Sequence, residues 1–373
     1  MCNNAFAKGN GLSAAILNTK ERLRARGVDA RIMTSVPQDA EEGQPDFTLK
    51  HFHFPLFEPV IRANGFRYAQ ISHKRLREAI DWADIVHLEE NMLLEAVAVR
   101  LAQKMGKPCV ASFHLFPQNI TANLNLPRKE FISPLIIKFW NHNVLNHCQL
   151  VHCPSETAKR YLVDNGVKTP IRVISNGTRK GPETLPPLEL GGRYPILCIG
   201  RLANEKSQQT LLEAVRYSKY AHLIDLQFAG KGPKEKKYRR MAEKLYEDGV
   251  LKTRPTFGFY DAAGLCEMAR KAYLYIHCAW VEVEGLSCLD ALREGAVPVI
   301  GESPLVGTTQ FALCPESLYP QGDAKALAQR IDWWIEHPEE QARMREAYRA
   351  SAAQYEIGAM FDQLIEMYHE AMA

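Results

Sequence analysis

Two rounds of alternating strands and helices, separated by one linker, constrain the fold of this chain more than any other feature. Short apolar runs typical of strands, among them residues 85–88, 109–113 and 195–199, alternate with helical patterns. Strands that alternate with helices of about 10 to 15 residues predict βαβ units stacked around parallel sheets. Because 373 residues exceed what one ordinary core can bury, we expect two doubly wound α/β domains.

The domain boundaries follow from composition. Residues 179–193 are rich in Pro, Gly and Glu and form the clearest linker in the chain. We therefore expect an N-terminal domain at residues 1–178, a C-terminal domain at residues 194–350, and a helical segment at residues 351–373. Ligands bind beyond the carboxyl ends of the strands in such sheets, so the predicted site is a cleft between the two domains.

The bulk properties argue against several other classes of protein. A net charge of +3 argues against a dedicated nucleic-acid binder, although residues 1–180 carry 24 Lys and Arg against 16 Asp and Glu. Nine cysteines without a CxxC pair are typical of free thiols in a reducing compartment. We recognise no signal peptide and no apolar run of about 18 residues, so we expect a cytoplasmic protein.

Residues 281–301 (VEVEGLSCLDALREGAVPVIG) combine a predicted anion site with two acids. A turn containing Gly285 leads into a helix predicted from about residue 287, and the free N–H groups and dipole of a helix start favour a phosphate. Glu282 and Asp290, eight residues apart, flank this turn, and a carboxylate beside bound phosphate usually accepts hydrogen bonds from hydroxyls. Phosphate and hydroxyls at one turn indicate a nucleotide-sugar.

A second charged turn follows the first strand of the C-terminal half. It reads GRLANEK (residues 200–206), and its Arg201 and Lys206 would clamp a diphosphate, the guanidinium as a fork and the ammonium as a compact charge. Charged turns after strands are common. Alone, GRLANEK is therefore weak evidence for a diphosphate site, and it becomes strong evidence together with the 281–301 segment downstream.

These segments resemble the family 4 glycosyltransferases, retaining enzymes of the GT-B fold. The matching pieces are GRLANEK, FAGKGP (228–233), FGFY (257–260), residues 282–290 with the following EGAVPVIG, and ISNGT (174–178) before the linker. The likeness covers nearly the whole chain and is most specific at residues 195–302. It implies two Rossmann-like domains facing across a cleft, with the acceptor on the first domain and the donor on the second. It also implies a C-terminal helix that packs back on the first domain.

The resemblance implies roles for individual residues. Arg201 and Lys206 would bind the donor diphosphate and stabilise the leaving group. Glu282 would contact hydroxyls of the donor sugar, and His114 would lie beside the transferred sugar. The other residues implied at the nucleotide-sugar are Gly9, Gly11, Gly200, Gly230, Gly232, Phe257, Gly285, Leu286, Ser287 and, at the ribose, Asp290. No metal and no cofactor are implied, because the two cations and the helix start would neutralise the departing diphosphate of a UDP- or GDP-sugar.

Three features depart from the family pattern. Asp290 stands where the family has a second Glu and is one methylene shorter, which would weaken a direct ribose contact or leave it bridged by water. Glu284 stands where the family often has an aromatic residue and would add a charge near the sugar. The chain begins where the first strand should be ending, so either residues 1–6 are a remnant of that strand or the sequence is shortened at its front.

Three further segments are candidates for roles at the cleft, and two of them have two interpretations each. The run FISPLIIKFW (131–140) is either an amphipathic surface for a membrane or lipid acceptor or a helix packed on the sheet, and we favour the helix. His87, Glu89 and Glu90 follow a strand and either line the acceptor side of the cleft or belong to a solvated loop. Gln310, in SPLVGTTQF (303–311), is a candidate for shaping the donor pocket.

Two other kinds of site are disfavoured. GNGLSA (9–14) mimics a dinucleotide fingerprint but lacks a clear preceding strand and a downstream acid. The group His142, His147, Cys148, His152 and Cys153 suggests zinc, yet Cys148 and Cys153 span a loop-to-strand junction where neighbouring side chains point opposite ways.

We therefore expect a retaining hexosyltransferase that acts in the synthesis of polysaccharide, glycolipid or another glycoconjugate of the cell envelope. Its partners would be a nucleotide-sugar and a carbohydrate or lipid-linked acceptor, with no nucleic acid. Peripheral contact with the inner face of the membrane is an open alternative to a freely soluble state. Two rival functions stay open: a sugar-nucleotide epimerase or phosphorylase of the same fold, and a relative with a weakened donor site that only binds nucleotide-sugar.

Overall fold

The computed structural model describes residues 1–3, 5–6, 11–35, 44–53, 58, 67–122 and 131–373. Within these residues the chain forms two α/β domains, each with a parallel sheet between helices. The prediction of two doubly wound domains is confirmed.

The N-terminal domain is built on short parallel strands. In chain order these are β1 (Met33–Ser35), β2 (Phe47–Leu49), β3 (His51–Phe52), β4 (Tyr68–Ala69), β5 (Val86–Leu88), β6 (Cys109–Ser112), β7 (Leu150–Cys153) and β8 (Ile171–Val173). Strands β5 to β8 pair in that order, β1 pairs with β2 in parallel, and β3 pairs with β4 antiparallel. The helices are α1 (Gly11–Ala25), α2 (His73–Trp82), α3 (Leu93–Lys104), α4 (Pro117–Thr121), α5 (Ile132–Asn143) and α6 (Glu156–Asp164).

The first three residues connect the two parallel sheets of this domain. The N–H of Cys2 donates to the carbonyl of Met33 at 3.2 Å, and the N–H of Ser35 donates to the carbonyl of Asn3 at 3.4 Å. On the other side, the N–H of Glu89 donates to the carbonyl of Met1 at 2.9 Å. Residues 1–3 therefore take the place of a strand between β1 and β5, where the family's first strand is expected.

The C-terminal domain has one larger sheet. Its strands are β9 (Tyr194–Ile199), β10 (Ile224–Ala229), β11 (Thr256–Gly258), β12 (Leu274–His277), β13 (Val297–Glu302) and β14 (Leu318–Pro320). They pair in parallel in the order β11-β10-β9-β12-β13-β14. The helices of this half are α7 (Gln209–Ala214), α8 (Glu235–Glu247), α9 (Ala262–Lys271), α10 (Leu286–Arg293), α11 (Ala324–Glu336), α12 (Pro338–Ala352) and α13 (Ile357–Met372).

The central strands of this sheet explain where the core lies. All four residues of β12 are buried, as are the first five of β13, because helices cover both faces of a parallel sheet. Tyr273, Trp334 and Tyr348 are among the large side chains of the core, and the hydroxyl of Tyr273 donates to the carbonyl of Trp334 at 2.6 Å. The apolar packing of the sheet leaves its carboxyl edge free for polar turns.

The C-terminal helix α13 returns to the first domain, as predicted. Its buried face, which includes Phe361 and Leu364, packs on Leu23 of α1 and on Val110 and Leu150 of the N-terminal sheet. The N–H of Ile357 also donates to the carbonyl of Thr178 at 2.8 Å, at the start of the linker. One helix thus holds the end of the chain against the N-terminal domain.

The structure differs from the sequence prediction at two places in the N-terminal half. The apolar residues at 28–34 predict a strand, but the structure has only β1 (Met33–Ser35) there, because α1 ends in a turn in which Gly27 has φ +81° and the N–H of Val28 bonds back to Leu23. The polar residues at 37–46 predict a loop, most of which lies outside the described residues, and β2 follows at Phe47. The sequence does not reveal β2, because three residues are too few to show periodicity.

Helix α5 packs on the sheet with one part of the apolar run at 131–140, as favoured, and leaves another part exposed. Ile137 and Trp140 are buried against the sheet, whereas Phe131 and Leu135 are each 65% exposed. Across the described parts of the chain, no helix has the length and apolarity that a bilayer crossing requires.

Candidate active site

Two glycine-containing turns at the carboxyl edge of the C-terminal sheet pack directly on each other. Gly200 follows β9 with φ +147°, and Gly230 follows β10 with φ +153°. A Cβ on Gly230 would collide with the carbonyl oxygen of Gly200, and one on Gly232 would collide with the backbone of Leu202. Both glycines are therefore required for this close backbone approach, which fixes the start of GRLANEK.

Lys206 and Glu282 form the main ion pair of this edge. The Lys206 ammonium donates to Glu282 Oε2, and His277 Nε2 lies 3.8 Å from the same oxygen. Burial acts to raise the pKa of Glu282, but the neighbouring Lys206 and His277 outweigh burial and lower it. Burial also lowers the pKa of His277 to about 4, so this imidazole is neutral at pH 7. The pair therefore places one ammonium and one carboxylate together at the strand ends.

Arg201 is paired within its own turn. Its guanidinium donates to Glu205 Oε1, and Glu205 is buried whereas the Arg201 side chain is 37% exposed. Each of the two predicted diphosphate-binding cations thus has a carboxylate partner. A diphosphate would compete with these carboxylates for the same N–H donors.

The predicted phosphate-binding turn has the conformation that the sequence indicated. Gly285 precedes α10 with φ +93°, and a Cβ at this position would collide with the side chain of Thr308. Helix α10 begins at Leu286, so the N–H groups of Leu286 and Ser287 have no helical acceptor. The Ser287 hydroxyl is hydrogen-bonded to the Tyr275 hydroxyl at 2.9 Å.

Asp290 lies one turn further along α10 and connects to the linker. Its Oδ1 accepts a hydrogen bond from the Thr178 hydroxyl at 2.6 Å and another from Arg293 Nη1 at 3.2 Å. Its side chain is still 54% exposed. One carboxylate oxygen is thus committed to Thr178, the residue before the linker, and to Arg293, whereas the family's Glu is expected to contact ribose.

Glu284 requires a correction to the expectation of an added charge near the sugar. Its side chain is buried and turns to the N-terminal domain, where its carboxylate accepts hydrogen bonds from the hydroxyl of Ser175 and from Nδ2 of Asn176, the latter at 2.6 Å. Burial raises the pKa of Glu284 to about 7, although these hydrogen bonds favour the charged form. The residue therefore joins the two domains, because the turn at Gly285 directs it across the interface.

The N-terminal wall of the cleft carries three histidines at the ends of β5, β6 and β7. His114 Nε2 donates to Glu89 Oε2 at 2.8 Å. Ser112 is hydrogen-bonded to His87 at 2.7 Å and to His152 at 2.8 Å. Of these residues, the sequence predicted His114 at the site and left His87 and Glu89 open. His152 was considered only in a disfavoured zinc group, and Ser112 was not singled out. Their position at a strand end was the one available indication, because no motif surrounds them.

A cavity of about 1000 Å³ connects the two walls. Gly200, Leu286, Ser287 and Asp290 line it from the C-terminal domain, and His114 is among the residues that line it from the other side. The predicted residues outside its lining are Arg201, Lys206, Gly230, Gly232, Phe257, Glu282 and Gly285. Gly11 begins α1, whereas Gly9 lies outside the described residues. The cavity therefore joins the helix start of the predicted donor site to the wall that carries His114.

Two predicted residues have other contacts. Phe257 stacks on Phe228 with ring centroids 4.7 Å apart, so it supports the strand below the turn. Gln310 Nε2 lies 3.5 Å from the carbonyl of Pro154, across the domain interface.

The histidines and cysteines considered for zinc are not grouped as ligands. His147 is hydrogen-bonded to the carbonyl of His142, and His152 to Ser112 and the carbonyl of Ile174. Among the residues that the structure describes, the one group with ligand-like spacing is His51, His53 and Glu58, far along the chain from that segment.

Comparison with known proteins identifies the class to which this fold and site belong. The family profile "Glycosyltransferase Family 4" matches residues 9–179, and the profile "Glycosyl transferases group 1" matches residues 186–351. Together they account for nearly the whole chain. The chain belongs to the family 4-like glycosyltransferases and is a transferase of the GT-B fold.

Individual relatives share limited sequence with this chain, either in identity or in the length covered. Alpha-monoglucosyldiacylglycerol synthase of Streptococcus pneumoniae is 24% identical over 311 residues, which cover 79% of this chain and 68% of that protein. HepE of Anabaena, solved with UDP and glucose, has a TM-score of 0.74 at 15% identity and covers 99% of this chain and 98% of its own. The catalytic domain of cholesterol-alpha-glucosyltransferase from Helicobacter pylori is 42% identical, covers 43% of this chain and 99% of its own, and has a TM-score of 0.39.

Proposed function

We propose that this glycosyltransferase transfers a hexose from a UDP-sugar to the hydroxyl of a lipid or glycolipid acceptor, with retention of the anomeric configuration. The observation that carries the proposal is the arrangement around α10. There, a helix start on Gly285 opens beside a cavity, with the Lys206–Glu282 ion pair at the adjoining strand ends. This is the combination of phosphate donors and a hydroxyl-binding carboxylate that a nucleotide-sugar requires.

The donor would lie mainly on residues 194–350 and the acceptor on residues 1–178. HepE, which shares the fold, has been solved with UDP, with UDP and glucose, and with UDP-glucose, and this favours a uridine donor over GDP. Arg201 and Lys206 would exchange their carboxylate partners for phosphate oxygens, and the N–H groups at the start of α10 would bind the same anion. The proposal requires no metal, since these groups supply the positive charge.

The reaction would proceed on one face of the sugar. The bond between the anomeric carbon and the diphosphate oxygen breaks, and a bond to the acceptor oxygen forms on the same side. The acceptor proton passes to an oxygen of the departing phosphate, so the products are the glycoside and the protonated nucleoside diphosphate. Lys206 would stabilise the negative charge that develops on that phosphate, and Glu282, ionised at neutral pH, would hold sugar hydroxyls in place.

The acceptor class rests on two observations. The S. pneumoniae relative is named as a synthase of a glucosylated diacylglycerol. In this chain, Phe131 and Leu135 present exposed apolar side chains at α5, on the proposed acceptor domain, with the exposed Lys138 beside them. We therefore propose peripheral contact of this face with the cytoplasmic surface of a membrane.

The test begins with calorimetric titration of the purified protein with UDP, GDP and ADP in EDTA, alongside Lys206→Ala. We expect UDP to bind, and to bind at least tenfold more weakly to the variant. Equal binding to both proteins would remove Lys206 from the diphosphate site, and binding in magnesium but not in EDTA would overturn metal independence.

The second step is transfer from UDP-glucose to a lipid extract, with NMR of the anomeric proton of the product. An α-linked glucolipid from the α-linked donor supports the proposal, and a β-linked product overturns retention. Conversion of the nucleotide-sugar without any acceptor product would favour the epimerase. Transfer to a water-soluble polysaccharide but not to lipid would overturn the acceptor class.

A further inference from the structure

The β3–β4 hairpin of the N-terminal domain carries two histidines and a glutamate that the proposed function does not use. His51 begins β3 and His53 follows its last residue. Because successive side chains of an extended strand point to opposite faces, the sequence HFH sets both imidazoles on one side. The two ring centroids lie 4.4 Å apart, in an edge-to-face arrangement that agrees with a shared side.

Glu58 brings a carboxylate to the same place from the sequence between β3 and β4. Its Oε1 lies 2.8 Å from His51 Nε2 and 3.8 Å from His53 Nδ1. One possible ligand atom from each residue lies within 4.8 Å of those of the other two. Neighbouring ligand atoms of a tetrahedral zinc ion are ~3.4 Å apart, so movements on the order of 1 Å would place all three on one ion.

The hydrogen bonding of His51 is compatible with a metal at its Nε2. Its Nδ1 is buried and has no partner among the residues that the structure describes. A metal at Nε2 requires the neutral imidazole that carries its proton on Nδ1. No described donor competes for Nδ1, so no hydrogen bond of these residues opposes that tautomer.

The cluster is accessible to an ion from one side. The His53 side chain is 64% exposed, whereas those of His51 and Glu58 are 16% and 15% exposed. An ion that enters beside His53 would therefore keep room for water as a fourth ligand. Two imidazoles and one carboxylate suit Zn²⁺ and neighbouring divalent transition metals, whereas Mg²⁺ and Ca²⁺ prefer oxygen ligands.

We propose that His51, His53 and Glu58 bind a divalent transition-metal ion of the zinc type, with water completing a tetrahedral set. None of the three residues lines the cavity between the domains, so the ion would have no contact with a substrate there. The inference goes beyond the proposed function and does not depend on it.

The hairpin itself gives the ion a structural role. In the part of the chain that the structure describes, β3 and β4 pair at two positions, His51 with Ala69 and Phe52 with Tyr68. A two-stranded hairpin is marginally stable by itself. A metal bound to both histidines and to Glu58 would tie the sequence between the two strands to β3, and its binding energy would stabilise the folded hairpin.

The test titrates the full chain, without a histidine tag, with Zn²⁺ after treatment with EDTA and removal of the chelator under reducing conditions. We expect one Zn²⁺ to bind per chain and to raise the unfolding temperature, which Mg²⁺ should not do. Co²⁺ in place of Zn²⁺ should give the visible absorption of a four-coordinate ion without a thiolate charge-transfer band. Absence of Zn²⁺ binding, or a thiolate band that places the ion on a cysteine, overturns the site.

His53→Gln removes the most exposed of the three ligands, so the unfolding temperature without metal should stay unchanged. We expect Zn²⁺ affinity to fall at least about tenfold in this variant and in Glu58→Gln. The exposed His369→Gln on α13 is the control and should bind Zn²⁺ as the wild type does. Equal Zn²⁺ affinity in wild type and His53→Gln overturns the site.

The metal site and the proposed function fail separately. Because the hairpin is outside the lining of the cavity, UDP affinity of His53→Gln in EDTA should equal that of the wild type. A loss of UDP binding in this folded variant would contradict the structural role and place the cluster at the donor. Absence of transfer from every nucleotide-sugar would overturn the proposed function and leave the Zn²⁺ titration to decide the metal site.

Discussion

The two walls of the cleft are specified by different physical means. The C-terminal wall holds charged side chains in ion pairs, Lys206 with Glu282 and Arg201 with Glu205. The N-terminal wall holds neutral imidazoles, in which burial keeps His87 and His152 uncharged. The first arrangement sets cations beside carboxylates at the strand ends next to the cavity, and the second joins neutral side chains through hydrogen bonds of fixed direction. The two sides of the cleft therefore differ in whether charge or hydrogen-bond direction holds the side chains in place.

The backbone is also used differently on the two sides. On the C-terminal wall, glycines with positive φ bring turns into contact that a Cβ would prevent, as at Gly230 and Gly285. On the N-terminal wall, ordinary strand ends present side chains, and hydrogen bonds between those side chains decide the geometry. We therefore expect substitutions on the C-terminal wall to change turnover and the free energy of unfolding, and substitutions on the N-terminal wall to change the hydrogen bonds of the histidines.

Loss of the carboxylate at Glu282 should have the largest effect. In Glu282→Gln the sugar hydroxyls lose a charged acceptor and Lys206 loses its partner, so we expect turnover to fall about 10²–10³-fold. UDP affinity should not fall, because UDP carries no hexose and Lys206 no longer has a carboxylate that competes with the diphosphate. Steady-state kinetics and UDP titration check both statements. The exposed Glu302→Gln at the end of β13 is the control. A variant with near-normal turnover would contradict the assigned role.

Gly285→Ala should destabilise the C-terminal wall by straining its backbone. The new Cβ would meet Thr308 while the residue keeps φ +93°, so we expect a loss of about 4 kcal/mol in the free energy of unfolding, from strain and overpacking together. Chemical denaturation measures this loss. Gly249→Ala has a similar φ of +71° and open space around the Cβ, so it should lose only about 1–2 kcal/mol. Equal losses in the two variants would show that the contact with Thr308 is relieved at no cost.

Glu284 should make the contact between the walls depend on pH. Its pKa is about 7 in the folded protein against an ordinary 4.5, so folding favours the protonated form. The resulting stability is full below pH 4.5 and is lost as pH rises through 7, a change on the order of 3 kcal/mol. The unfolding free energy of wild type relative to Glu284→Gln should therefore fall across this window. A difference that stays flat from pH 5 to pH 8 would contradict the shift.

The sequence predicts the turns of the C-terminal wall better than the side-chain contacts of the N-terminal wall. Lys206 and Glu282 are 76 residues apart, yet their pairing follows from two turns after parallel strands that end at one edge of a sheet. Gly285 was recognisable because a helix that opens on a phosphate-binding turn requires such a residue. The alternation of elements was enough for the two domains, whereas the return of α13 was implied by the family resemblance.

The features that the sequence did not predict depend on the direction in which buried side chains point. Glu284 lies one residue from the phosphate-binding turn, and nothing in the sequence indicates that it crosses to Ser175 and Asn176. The chain through His87, Ser112 and His152 joins three strands, each contributing a single polar residue with no characteristic neighbours. Hydrogen bonds of this kind arise from packing, which periodicity does not encode.

The smallest predicted effect tests whether the N-terminal wall works by proton direction. Tyr368→Phe removes the donor to His87 Nδ1 and leaves a buried acceptor unpaired, which should cost about 1 kcal/mol in the free energy of unfolding. Because the C-terminal wall is untouched, UDP affinity should stay within error of wild type. The ¹⁵N signals of His87 should shift, whereas the exposed Tyr217→Phe should alter neither quantity. A clear fall in UDP affinity would show that the two walls are one coupled unit, because loss of the hydrogen bond between α13 and β5 would then weaken binding at the diphosphate.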